Sequence, residues 1–187
     1  MEIFIIFTKI SKIWNIKKKM LSKSQIAELE KQKELTRFFP HVTVCAVIEK
    51  SQKFLLVEEK VISGEIMFNQ PAGHLEADES LLSAVCREVR EETACEFFPQ
   101  KFLGVYHWKN PGNSQTFVRF TFVGEVGEVN PNLALDEGII QTHWLSFDEI
   151  LSLSRQQKLR SPLILQSIKD YLKNVSYPLD VIQNFIV

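Results

Sequence analysis

The sequence predicts an α/β fold, a sandwich of helices around a mixed β-sheet, and three observations carry that expectation. Short runs rich in branched and aromatic residues, suited to strands, are interspersed with amphipathic helical patterns in no regular βαβ alternation. Two of those runs flank Asn110-Pro111-Gly112-Asn113, a strong turn signal that makes them an antiparallel pair. One helix, starting near Glu79, carries a single apolar stripe and needs a sheet to bury it. With 187 residues, 45% of them hydrophobic, the chain can enclose a proper core and needs no second domain.

Residues 1–37 stand apart in composition. They carry eight Lys and one Arg against four Glu, a net of +5, whereas the remaining residues carry 13 basic and 19 acidic groups, a net of −6. The shift places a boundary near residues 38–40, with a basic N-terminal arm before it and a catalytic-sized domain over residues 38–187. The apolar run at residues 3–7 falls far short of the roughly 20 residues that span a bilayer. It follows Glu2 and lacks the basic leader and small-residue cleavage site of a secretory signal, so no transmembrane segment is expected. Ile10, Ile13, Trp14 and Lys17 to Lys19 are the elements of a basic amphipathic segment. A flexible arm, or a functional start at Met20 that makes the arm non-native, is the plainer reading.

Within the domain, residues 42–48 and 54–57 read as buried strands separated by the turn-like Glu49-Lys50-Ser51-Gln52. Residues 69–74, Asn-Gln-Pro-Ala-Gly-His, read as a loop leading to the amphipathic helix. Residues 102–108 and 115–123 form the pair across the Pro-Gly turn, and residues 139–145 a further strand. Ser146 should cap a short helix over 148–153, and Ser161 should cap a second one, with Pro162 at its first position, that runs to about Lys173. There is no internal repeat. Cys45, Cys86 and Cys95 have no C-x2-C spacing and read as small core residues in a reducing cytosol, not as a zinc site or disulfide framework.

The chemistry concentrates on the amphipathic helix. Asp78 is its expected N-cap, and Leu81, Leu82, Val85, Cys86 and Val89 recur at three and four. On that wheel Glu88 and Glu92 fall beside Leu81 and Val85, at the edge of the apolar stripe. Two carboxylates one turn apart and aimed partly inward are electrostatically expensive, since each anion opposes the other and burial strips water from both. A hard divalent cation removes that cost. Mg2+, with Mn2+ as a substitute, suits one or two carboxylates and leaves positions for water and substrate phosphates. Glu91 adds a third acid on the adjoining side. Arg87 can pair with Glu91 or reach back to Glu79, and its planar fork holds two oxygens at once. A solvated face of Glu and Arg pairs is the competing reading, and the edge-of-core placement argues against it.

Gly73, Glu79, Arg87, Glu88, Val89, Glu91 and Glu92 spell G-x5-E-x7-R-E-U-x-E-E, U being aliphatic, and at these residues the chain resembles the Nudix hydrolases. The family's second glycine is Ala94 here, and its last aliphatic position is Cys95. HVTVCAV, FNQPAGHLEADESL, FVRFTF and LRSPLILQSIKDYLKNVSYPL together look like the NudJ-type phosphatase subgroup, a likeness running from about His41 to Leu179. The resemblance implies a Nudix-type α/β/α sandwich. It also implies hydrolysis of nucleoside tri- and diphosphates, and of hydroxymethylpyrimidine pyrophosphate, with inorganic phosphate as product. Many relatives instead cut between phosphates and release a nucleoside monophosphate.

On this reading Mg2+ sits on Glu88 and Glu92 with Glu91 beside them, and Glu91 or an acid of the 136–137 loop assists as base. Asp136 and Glu137 lie where some Nudix enzymes place an additional acid. Asn69 and Gln70 carry amides suited to a base edge or phosphate, or to turn chemistry. His74 follows Gly73 and is a candidate for a phosphate or water contact. Strand alternation puts Arg119 on one face with Phe117 and Thr121, as an ion-pair partner or a phosphate clamp. Trp108 and His107 are candidates to stack on a base.

Other classes remain open: a pyrophosphohydrolase acting on a nucleoside diphosphate derivative or an RNA 5′ end, and a nucleotide-binding module without catalysis. The acidic body disfavours an RNA substrate or any stable nucleic-acid partner. Retention of every acid in the pattern disfavours the binding module. Oligomeric state is left open.

Overall fold

The computed structural model describes Ser22, Ser24 and residues 38–186. The chain divides between Phe39 and Pro40 into two units, and the fold below is that of the second. The arm expected over residues 1–37 lies outside the described residues, the two serines excepted.

Strands β1 (His41–Lys50), β2 (Lys53–Lys60), β3 (Ile66–Asn69) and β4 (Ala72–His74) precede helix α1 (Leu81–Thr93). Strands β5 (Cys95–Lys109), β6 (Thr116–Val129) and β7 (Ile139–Ser146) follow, then α2 (Phe147–Arg155), α3 (Leu163–Leu172) and a single 3-10 turn, Leu179–Val181. The strands form one mixed seven-stranded sheet in the order β3-β2-β1-β6-β5, with β4 on β1 and β7 on β2. β1 and β6 run parallel, and the other pairs are antiparallel.

β1 divides the core. Val44, Ala46 and Ile48 pack with Leu55, Phe97 and Phe122 against Ala84, Val85 and Val89 of α1. Val47 points the other way, toward Phe54, Leu56 and Leu103, under Ile150 of α2 and Ile164 and Ile168 of α3. The result is the expected α/β/α sandwich with α1 on one face and α2 and α3 on the other. Fully burying such a side chain contributes about 1.5–3 kcal/mol.

Several boundaries differ from the sequence reading. The turn after β1 shrinks to Ser51 and Gln52, both left-handed at φ 53° and 63°, the geometry of a two-residue hairpin loop. Strands β5 and β6 reach back to Cys95 and on to Val129, because register shifts at Cys95/Phe97, Pro99/Lys101 and Phe102/Gly104 absorb the residues that break alternation. The 69–74 loop turns out to hold the end of β3 and all of β4, which pairs with Thr43, Val44 and Cys45.

Two caps are corrected. The N-cap of α1 is Ser80, whose Oγ accepts from Ser83 N at 3.0 Å, while Asp78 occupies a left-handed turn position at φ 63°. Ser161 caps nothing: Pro162 already has helical angles, and the Ser161 hydroxyl is turned into a cavity without a partner. Ser146 does cap α2, in a reciprocal capping box with Glu149.

Ala94 ends α1 at φ 57°, where glycine is usual. Its methyl is 4% exposed, so burial worth about 0.8 kcal/mol offsets much of the roughly 1–2 kcal/mol that a left-handed residue costs.

Candidate active site

Arg87 gathers the acids of α1 and its approach loop. Its Nε and Nη2 donate to the two oxygens of Glu79 at 3.1 and 2.7 Å. Nη1 donates to Glu88 Oε1 at 2.8 Å and Glu91 Oε2 at 2.9 Å, and Nη2 also reaches the His74 carbonyl at 3.0 Å. One guanidinium therefore fixes three carboxylates and ties β4 to the helix. The bidentate bond holds the Glu79 carboxyl below its ordinary range.

Glu88 and Glu92 lie deeper. A Cβ at Gly73 would stand 2.1 Å from the Glu88 carboxyl, so only glycine lets β4 run over that group. Ala72 N donates to Glu92 Oε2 at 2.9 Å. Burial raises both carboxyls, opposed at Glu88 by Arg87 and at Glu92 by the Ala72 bond, and Glu92 rises well above its ordinary value. The anions of Glu88, Glu59 and Asp136 push Glu92 further up. Asp136 N donates to the Glu91 carbonyl at 3.0 Å, which pins the 136–137 loop beside the helix. Asp136 and Glu137 are both exposed in that loop.

Above β4 opens a cavity of about 280 Å³, whose walls include Thr43, Glu59, Asn69, Trp108, Arg119 and Ser161, with Ala72, Gly73 and His74 adjoining the acids. Buried polar atoms on this wall lack hydrogen-bond partners: Thr43 Oγ1, Glu59 Oε1 (in an ion pair with Arg160 at 3.2 Å), Asn69 Oδ1, Ser161 Oγ, and Nε and Nη1 of Arg119. Arg119 is 9% exposed and opposite Thr43 in the parallel register. A buried guanidinium with two unused donors is a site for an anion.

Trp108 packs on Phe117 with ring centroids 5.7 Å apart and 27° between planes, and His41 also stacks on Phe117, at 5.0 Å. His74 Nε2 lies 3.1 Å from His41 Nδ1, and burial followed by the His41 charge lowers its pKa.

The structure thus brings Asn69, His74, Arg119 and Trp108 to one cavity beside Glu88 and Glu92. Gln70 is a correction. It is 1% exposed, and its Oε1 accepts from Ser167 Oγ at 3.0 Å and Cys45 Sγ at 3.4 Å, so its amide joins β1 to α3 instead of facing ligand. His107, one place from Trp108 in β5, is exposed and is not on the cavity wall.

Glu59, Arg160 and Ser161 were missed as site residues. Glu59 lies two positions beyond the strand expected over 54–57, and Arg160 and Ser161 read as the opening of a helix. The one available signal was the charged pair Glu58-Glu59 inside a strand, where alternation must send one of them inward.

Among the described residues, no three carboxylate, imidazole or thiol groups are disposed to hold an ion by themselves. The donors nevertheless fit a hard divalent ion. Glu88 is a buried and Glu92 a half-buried oxygen donor, both pushed toward protonation by desolvation, and such an ion is ordinarily held by one or two carboxylates with water and substrate phosphates completing the shell.

A model of the NUDIX domain matches residues 39–166. The chain is 44% identical over 148 residues to the phosphatase NudJ of Escherichia coli strain K12, covering 79% of this chain and 94% of that protein. A solved Nudix hydrolase from Nitrosomonas europaea superposes with a TM-score of 0.75 at 47% identity, covering 79% of this chain and 98% of the other. A MutT Nudix hydrolase from Burkholderia pseudomallei shares the fold, with a TM-score of 0.57 at 19% identity over 71% of this chain and 98% of the other. Nudix hydrolases generally use divalent metal ions, in keeping with the buried carboxylates of α1. By the domain match, by identity over nearly the whole length of its relatives, and by its fold, this chain belongs to the Nudix hydrolase family.

Proposed function

We propose that this protein is an Mg2+-dependent phosphohydrolase of nucleoside tri- and diphosphates, acting in the cytoplasm and releasing inorganic phosphate. Hydroxymethylpyrimidine pyrophosphate is a further substrate on this reading. One observation carries it: the carboxylates organised by Arg87 adjoin, through Ala72 and Gly73, a cavity whose wall presents two free N–H donors of Arg119. The 44% identity to a protein named phosphatase NudJ supports phosphate release over cleavage between phosphates.

Glu88 and Glu92 are the residues that would hold the ion. A divalent ion held there would supply positive charge to offset that on phosphate oxygens and a coordination site for the attacking water. Arg87 keeps Glu88 and Glu91 in fixed rotamers, so their positions need no rearrangement when substrate enters. Glu91, with one oxygen held by Arg87, or Asp136, pinned next to it, takes the proton from the attacking water. Arg119 donates to a phosphate oxygen from the cavity wall, and Trp108 offers an aromatic face to the organic part of the substrate.

Product analysis tests the proposal. Purified protein with Mg2+ and a panel of nucleoside di- and triphosphates should release orthophosphate from both. Pyrophosphate plus monophosphate would replace the phosphatase reading with pyrophosphohydrolysis, and an inert protein across the panel would overturn the nucleotide reading.

A further inference from the structure

Glu59 has no part in the chemistry described so far, yet it is built into the cavity. In β2 the consecutive Glu58 and Glu59 take opposite faces, and the β2–β7 register shifts between them, the kind of bulge that re-aims a side chain. Glu58 takes the face away from the cavity and is satisfied by Gln141 at 2.9 Å and His143 at 2.6 Å. Glu59 turns inward to the cavity wall. Arg160 Nε is 3.2 Å from its Oε1 but does not aim a hydrogen at it, and that buried oxygen has no hydrogen-bond donor.

The unpaired atoms around this cavity are of two kinds. Arg119 offers two donors and wants an anion. Glu59 Oε1 and Asn69 Oδ1 want donors. Orthophosphate alone would satisfy Arg119 and leave the carboxylate facing another anion. A second cation at Glu59 would stand against the charges of Arg160 and Arg119, which both act on that carboxyl. A ligand that matches both kinds has an anionic end and a planar end carrying N–H groups. Trp108 and Phe117, both on the cavity wall, supply the flat apolar surface for such a ring. The cavity, about 280 Å³, takes a small heterocycle and the phosphate next to it, within reach of Arg119, and the outer phosphate lies toward Ala72, Gly73 and the acids.

We propose that Glu59 is a specificity-determining residue whose carboxylate accepts a hydrogen bond from an exocyclic amino group on the heterocycle of a pyrophosphate-bearing substrate. This rests on the reading of the site given under Proposed function. Asn69, beside it on the wall, orients the same edge, and Arg119 holds the phosphate end. A site built to bond a substrate N–H discriminates strongly against the analogue that lacks it, because its own buried acceptor is then left unpaired.

Matched nucleotides that differ at the amino group, CTP with UTP and GTP with ITP, provide the test. For wild type, Glu59→Ala and Glu59→Gln, kcat/KM is measured for each member, and metal-free binding of the same nucleotides is measured by calorimetry. Wild type should favour the amino member of at least one pair by about tenfold or more. Glu59→Ala should bring that ratio close to one, and Glu59→Gln, which keeps an acceptor oxygen, should retain part of it. Equal losses for both members of every pair, or an unchanged ratio in Glu59→Ala, would overturn the assignment. Selective binding that Glu59→Ala abolishes, in a protein that hydrolyses none of the panel, would uphold it while overturning the phosphohydrolase reading.

Discussion

A single guanidinium carries much of the site's order. Arg87 makes five hydrogen bonds to three carboxylates and one carbonyl, which a lysine ammonium cannot reproduce from one position. Arg87→Lys should lower kcat/KM by roughly 10–100-fold with a native circular dichroism spectrum; near wild-type turnover would remove Arg87 from the account. Gly73→Ala isolates the next contact. The added methyl meets the end of a flexible side chain, so the fold should survive while Glu88 is displaced, and steady-state turnover should fall toward that of Glu88→Gln.

Cys45 gives a pH signature of the core. Burial pushes its thiol up to about 11 from an ordinary 9.0. Above pH 9 the unfolded chain releases this proton and the folded one does not, so stability is lost as pH rises from 9 to 11, by up to about 3 kcal/mol at the upper end. Urea unfolding across that range should show a steeper decline for wild type than for Cys45→Ala, and parallel declines would contradict it. The pattern of acids was legible in the sequence because helical spacing alone puts Glu88 and Glu92 at the stripe's edge. Gln70 was misread because its partners, Ser167 and Cys45, are 97 and 25 positions away, a distance no local pattern encodes.

Elements set these side chains in place through their ends. α1 is capped by Ser80 and Ala94, and the one departure from the sequence reading, Ser80 in place of Asp78, comes from turn geometry. Asp78 and Ser80 are equally good caps by residue type, and the choice between them is made by the left-handed turn at Asp78. Ala94→Val should destabilise by about 1–2 kcal/mol or more, because a branched side chain cannot share the left-handed position, whereas Ala94→Gly should sit close to wild type in thermal unfolding. Equal melting temperatures for both variants would remove the strain argument.

The missed strands have a similar cause. β4 is three residues long and contains Gly73, too short for alternation to register, yet its pairing with β1 is what places Gly73 over Glu88. The Glu58/Glu59 bulge is likewise invisible in the sequence, since it depends on the pairing of β2 with β7.

At the scale of the molecule, the sheet separates two kinds of work. The face under α1 carries the acids, and the face under α2 and α3 supplies packing that holds β1 and β2 rigid. The three helical patterns around buried strands were readable in the sequence, whereas the face each helix covers and the strand order were not. The cavity draws Thr43, Glu59, Asn69, Arg119 and Ser161 from segments scattered over more than half the chain, so only the folded sheet assembles it. We propose that residues 38–187 are the catalytic domain. If the domain works independently of the arm, as this proposal holds, removal of residues 1–37 should leave kcat/KM within about twofold of the full chain; loss of activity in a folded truncation would give the arm a catalytic role.

The central claim is that the buried carboxylates of α1 carry metal-dependent phosphohydrolysis. Orthophosphate release from a nucleoside triphosphate, titrated with Mg2+ for wild type and Glu92→Gln, tests it most directly. Wild type should be activated by the ion, and Glu92→Gln, still folded, should lose roughly 100-fold or more at saturating Mg2+. Turnover in Glu92→Gln equal to wild type, with the same Mg2+ dependence, would contradict the account.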